Sequence, residues 1–173
     1  MDNAVAGSDE KQAIAVDALE FFERSYQLST ERGRSGMLTS LCRASIHGRR
    51  YDKARQYARR RLSHEGGGRF GYAARHFHGH AVLGVVAFES GELEQAEKHL
   101  MLSVKLPESA RKLMHEPDMS LVLRFLSKGE KGLVREFFEA CKLVWKDGEA
   151  QLRKWQEQLD QGEAIVFDHP QMY

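Results

Sequence analysis

The chain has 173 residues, 42% of them hydrophobic and 29% charged, with a formal net charge of +1. That profile fits one globular domain with a real core and leaves little room for two. The longest apolar run, Ala81 to Phe88, has eight residues and contains Gly84, well short of the ~20 needed to cross a bilayer.

The first residues, Met1 to Glu10, are acidic and lack both the basic start and the apolar stretch of a secretory signal, so a cytoplasmic protein is expected. Cys42 and Cys141 share no local metal or redox spacing, and each sits in an apolar helical pattern as a small buried hydrophobe would. Charge is unevenly spread. Residues 1–31 hold seven acids and two bases, residues 32–75 twelve bases and two acids, and the remainder sixteen acids and twelve bases. Such separation suits an acidic partner or a second copy of the chain.

Helical periodicity dominates. Ala13, Val16, Leu19, Phe22 and Tyr26 recur every three to four residues and predict a first helix from about Glu10 to Leu28, capped by Ser8 or Asp9. Residues 1–9 are expected to be flexible. A second helix is predicted from about Ser35 to His47, stopping at Gly48, and a third from Tyr51 to Ser63. The triple glycine Gly66-Gly67-Gly68 reads as a flexible joint, since three glycines are too costly to freeze in a helix. A fourth helix follows from about Phe70 to Glu89, and a fifth from about Leu93 to Lys105, closed by Pro107. Pro117 suits the start of a sixth, about Asp118 to Ser127, with Glu116 and Asp118 as capping groups. A seventh (about Lys131 to Lys146) and an eighth (about Glu149 to Asp160) complete the pattern. No strand is predicted.

A repeat runs through these helices. Its clearest copy is Leu83-Gly84-x-x-Ala87-x-x-x-Gly91-x-Leu93-x-x-Ala96-x-x-x-Leu100, ending at Leu106-Pro107. A weaker copy lies upstream in Leu41, Cys42, Gly48, Tyr51, Ala54 and Ala58, and a third downstream in Leu121, Val122, Gly129, Leu133 and Phe137. The middle copy resembles a tetratricopeptide repeat, lacking only the aromatics usual at the places of His80 and Leu93. Small residues at Gly84 and Ala96 would let two antiparallel helices approach closely.

The resemblance covers about residues 35–145, and the stretch from Pro117 to Trp155 is also similar to bacterial repeat proteins. It implies an all-α fold of antiparallel helix hairpins, stacked as a short right-handed solenoid. As one domain over 1–173, this has an N-terminal helix at 10–34, degenerate repeats at 35–145, and a capping helix and tail at 146–173. It also implies a concave groove built from the second, fourth and sixth helices. Family members that clamp a carboxylate use lysine, asparagine and arginine on that face. Here the corresponding places hold Ala81, Val85, Thr39 and Arg43, of which only Arg43 fits, so a partly apolar groove is expected.

Two clusters carry candidate chemistry. In His76-Phe77-His78-Gly79-His80, His76 and His80 share a helix face at the spacing of a metal-binding pair. The protease glutamate of His-Glu-x-x-His is missing, however, and the plain reading puts His80 in packing and His76 in the groove. Arg49, Arg50, Lys53, Arg55, Arg59, Arg60 and Arg61 form a basic run whose helix buries Tyr51, Ala54, Ala58 and Leu62, so most of the arginines are expected to face solvent. The run suits an acidic protein surface better than nucleic acid, because no aromatics interleave with it to stack on bases. Met37, Met114 and Met119 read as core or groove filler.

No nucleophile elbow or phosphate loop occurs. The expectation is a non-enzymatic protein-binding module without cofactor or metal, regulatory or scaffolding in character, with partner contacts at Arg43, Arg50, Lys53, Arg59, Arg60, His76 and His80. Two alternatives stand beside it: a nucleic-acid-associated regulator using the arginine-rich helix 49–61, and a metal-dependent enzyme using His76 and His80.

Overall fold

A computed structural model of the chain describes residues 2–65, 68–113, 117–167 and 173, with backbone alone for 2–8 and 32. Gly66, Gly67, Met114, His115 and Glu116 lie outside the described residues, as does most of the segment beyond Phe167.

The described residues form eight α-helices and no strand: α1 (Asp2–Leu28), α2 (Glu31–His47), α3 (Tyr51–Ser63), α4 (Gly68–Glu89), α5 (Leu93–Ser103), α6 (Ser120–Ser127), α7 (Lys131–Val144) and α8 (Glu149–Gln161). A short 3-10 turn, Glu108–Ala110, lies between α5 and α6. No described helix is long and apolar enough to cross a membrane.

Three starts differ from expectation. α1 begins at Asp2 rather than near Glu10, which places Ser8 and Asp9 inside it. α2 begins four residues before Ser35 because the Thr30 hydroxyl accepts from the Gly33 amide and caps it there. α6 begins at Ser120, not Asp118: the Asp118 carboxylate accepts from the Ser120 amide at 3.0 Å, which leaves Pro117 and Met119 as buried, non-helical residues.

Consecutive helices pack as antiparallel neighbours from α1 to α5 and again from α6 to α8. Contacts also run from α2 to α4, from α4 to α6 and from α5 to α7. α4 is the hub, and its second half is buried from Ala81 to Ala87 without interruption. Two glycines make this possible. A Cβ built on Gly84 would overlap Leu121 of α6 and press on His99 of α5, with the Ala96 carbonyl just beyond. On the neighbouring side, a Cβ at Gly79 would run into the Leu62 side chain of α3. At the far end, Trp155 stacks on Trp145 at 5.6 Å and takes Phe167 edge-on at 4.8 Å, closing the core over α7 and α8.

One turn geometry joins α2 to α3, α4 to α5 and α6 to α7. In each, the residue before the next helix donates its amide five residues back into the helix just ended: Arg50 to Ser45 at 2.7 Å, Glu92 to Ala87 at 2.9 Å, Glu130 to Phe125 at 3.1 Å. This is the Schellman closure, and it needs a left-handed residue at the corner. Gly91 (φ 77°) and Gly129 (φ 82°) serve in two turns. In the first turn the corner is Arg49 (φ 54°), not Gly48, so the corner of the upstream copy lies one residue later than expected, while its other positions keep their alignment.

Two outcomes follow. Arg49→Gly relieves an L-residue of a left-handed backbone and should raise stability by about 1 kcal/mol in urea unfolding. Gly84→Val overfills a site closed on two sides and should lower it by about 2 kcal/mol or more.

Candidate functional site

The face of α4 turned toward α2 and α6 is occupied by a residue distant in sequence. Tyr173 is 5% exposed. Its amide donates to the Ser120 hydroxyl at 2.9 Å, and its main-chain oxygen accepts from Arg124 Nη1, also at 2.9 Å. Its ring meets His78 of α4 edge-on with centroids 6.5 Å apart. Arg124 is held in turn by Glu89 at 2.7 Å and by the Ser120 carbonyl. α4 and α6 together therefore grip one residue by both its main chain and its ring.

Within electrostatic reach of that phenol lies an unusual guanidinium. Arg61 of α3 is 9% exposed, although the basic run to which it belongs was expected to be largely solvated. It turns inward beside Ala54, Tyr57 and Ala58, the buried positions of its helix. Its Nη1 donates to Thr39 Oγ1 of α2 at 2.5 Å, its Nε has no hydrogen-bond partner among the described residues, and no described carboxylate pairs with it. Burial pulls its pKa down, offset in part by Tyr173 and Cys42, with Arg75 acting in the same direction as burial. The Tyr173 hydroxyl and His78 Nδ1 are likewise buried and unpartnered among the described residues. Burial and the nearby Cys42 push the Tyr173 phenol up, while Arg61 and Arg43 pull it back.

The residues singled out in the sequence fall in three places. Arg43 is exposed on α2, close enough to act electrostatically on both His78 and Tyr173. It also borders a depression of about 540 Å³ between α1 and α2, floored by Ala15, Ala18, Phe22 and Ala44. Arg50, Lys53, Arg59 and Arg60 are exposed along α3. Lys53 is paired with Glu23 of α1 at 2.8 Å, and Arg60 lies over the Tyr26 ring. The basic helix is thus partly neutralised by the acidic first helix of its own chain. Burial raises the Glu23 carboxyl, but hydrogen bonds from Lys53 and Tyr57 outweigh it and hold the pKa low.

His76 and His80 face α5. His76 Nε2 lies 2.8 Å from the Leu102 carbonyl, and His80 Nδ1 lies 3.0 Å from His99 Nδ1 with the two rings stacked. His78, two residues along, projects about 200° around the helix and so reaches the opposite side, where Tyr173 sits. Among the described residues, no group of three or more His, Cys, Asp or Glu side chains converges as a metal site. Cys42 and Cys141 are unlinked buried thiols, and burial pushes Cys42 up to about 12.

His78, Arg61, Ser120 and Arg124 were not foreseen as a site. A trace of them exists in the sequence: Arg61 falls on the stripe Ala54-Tyr57-Ala58, at a helical spacing of three from Ala58, so its inward direction follows from periodicity alone. Tyr173 left no such trace.

Compared with protein-family models, curated proteins and solved structures, the chain matches none.

The buried histidines make stability depend on pH. His78 is lowered to about 4 by burial, then by Arg61 and Arg43; His80 is lowered to about 4 by burial, then by His76 and His99. Between the unfolded value of about 6.5 and the folded value, the unfolded chain binds more protons, so stability falls on acidification. The urea midpoint should therefore drop between pH 6.5 and 5, above the carboxylate range. His78→Gln should flatten that drop. A midpoint unchanged over the window would contradict the assignment.

Proposed function

We propose that the chain is a non-enzymatic helical-repeat module, similar to tetratricopeptide repeats, that binds a peptide, helix or protein partner in the groove of α2, α4 and α6. The observation that carries this reading is the seating of Tyr173: the groove holds a residue by main-chain N and O through Ser120 and Arg124, and by its ring through His78. Main-chain hydrogen bonds together with a side-chain pocket are the means by which proteins read a peptide.

Two features of the fold support it. The same corner geometry recurs at Arg49, Gly91 and Gly129, as expected of a duplicated hairpin. The first helices of successive hairpins, α2, α4 and α6, also touch one another, and Gly84–Leu121 and Phe88–Phe125 set α4 and α6 in parallel. A stack of this kind leaves one side of the first helices open to a partner.

The test is an array of overlapping 12-residue peptides from the proteome of the source cell, probed with the full chain. A subset should be retained, and the exposed Arg43→Glu change should reduce binding, whereas Arg59→Glu should leave the groove-bound subset unaffected. Retention of no peptide, or equal loss with both variants, would overturn the reading.

A further inference from the structure

The pocket around Tyr173 contains a charge with no counter-charge among the described residues. Arg61 is nine-tenths buried, makes a single neutral hydrogen bond to Thr39, and keeps Nε unpartnered among the described residues. A guanidinium withdrawn from water without a carboxylate is costly. The residue beside it does not relieve that cost. Tyr173 brings a neutral phenol whose own hydroxyl is buried and unpartnered among the described residues, a further penalty.

What holds Tyr173 lies elsewhere, in the two main-chain hydrogen bonds from α6 and the ring contact with His78. The two main-chain bonds are available to any residue of a peptide that carries an amide hydrogen. At the ring's far end the field is basic: Arg61 and Arg43 both act on Tyr173 and on His78, and Asp118 is the single described carboxylate that acts on Tyr173. That carboxylate is already engaged with the Ser120 amide. The pocket therefore fits its present occupant in shape and main-chain pairing, and mismatches it in charge.

We propose that Tyr173 is a resident plug of the groove, displaced by a partner peptide whose glutamate or aspartate side chain enters the same pocket and pairs with Arg61. This rests on the groove being a peptide-binding surface, and it adds both the chemistry of the partner and the means by which the empty groove is protected. A carboxylate would turn the single Arg61–Thr39 bond into a charge-assisted set that includes Nε. The main-chain positions of Ser120 and Arg124 would be taken over by the incoming backbone. An apolar or neutral peptide would gain only what Tyr173 already gains, and would compete poorly with a residue of the same chain, which is present at high effective concentration.

The test uses the full chain and two labelled heptapeptides, one with two glutamates flanking a phenylalanine and its glutamine twin, followed by fluorescence anisotropy. Tyr173→Ala should bind the glutamate peptide at least about tenfold more tightly than the native chain, and about tenfold more tightly than the glutamine twin. Adding Arg61→Gln to Tyr173→Ala should abolish the preference between the two peptides. Tyr173→Phe removes the unpartnered hydroxyl and should bind the glutamate peptide more weakly than the native chain, because the plug then fits better. This variant keeps Arg61 and serves if Arg61→Gln does not fold.

If Tyr173→Ala binds both peptides equally, the groove reading stands and the acidic readout is overturned. If the native chain binds the glutamate peptide as tightly as Tyr173→Ala, or Tyr173→Phe binds it more tightly than the native chain, the plug is overturned. If no variant binds either peptide, the groove reading fails along with it.

Discussion

Everything in this fold depends on how closely α4 is approached from two sides. Gly84 lets α5 and α6 close on it, with Ala96 fully buried on the opposing helix, and Gly79 admits Leu62 of α3. Side chains at either glycine would hold neighbouring helices apart and weaken the dispersion contacts along Val82, Val85 and Val86, which are essentially unexposed. Because α4 touches helices before and after it, its two glycines fix how closely α3, α5 and α6 approach it, and hence the place beside α4 and α6 where Tyr173 lies.

Charge is arranged on a different principle. The acidic first helix and the basic third helix are brought together within one chain, through Glu23 with Lys53 and Tyr57. Partly exposed pairs of this kind contribute only about 0–1 kcal/mol each, so they orient α1 against α3 more than they stabilise it. Arg61 is the exception in the basic run. It departs from the solvated face and enters a place where no acid among the described residues pairs with it, which separates its role from that of the exposed Arg59 and Arg60 just before it.

Much of the fold was legible in the sequence, because helix type and extent follow from apolar period and from glycine and proline stops. The eight helices occur where the periodicity placed them, with the ends of α3, α4, α7 and α8 within two residues. Errors came from side chains that override local propensity: the Thr30 cap drew α2 forward, and the Asp118 carboxylate held α6 back to Ser120. At the first corner Gly48 attracted the alignment by its identity, yet Arg49 adopts the left-handed conformation. The site was far less legible. A histidine cluster is conspicuous in a sequence, but which of its members faces which neighbour depends on about 100° of rotation per residue, and this separates His78 from His76 and His80. Nothing in local sequence links Ser120 and His78 to a residue as distant as Tyr173.

The histidines on the other side of α4 show how a static contact fixes where hydrogens sit. A carbonyl can only accept, so the approach of His76 Nε2 to Leu102 places that ring's proton on Nε2. His80 and His99 meet through like nitrogens, and such a contact closes only if one ring holds its hydrogen on Nδ1 and the other leaves Nδ1 bare. The two imidazoles thus share a single bridging hydrogen. Either ring can be its owner, and each choice sets the opposite tautomer in the partner, so α4 and α5 are joined by a link with two bonding arrangements of one shape.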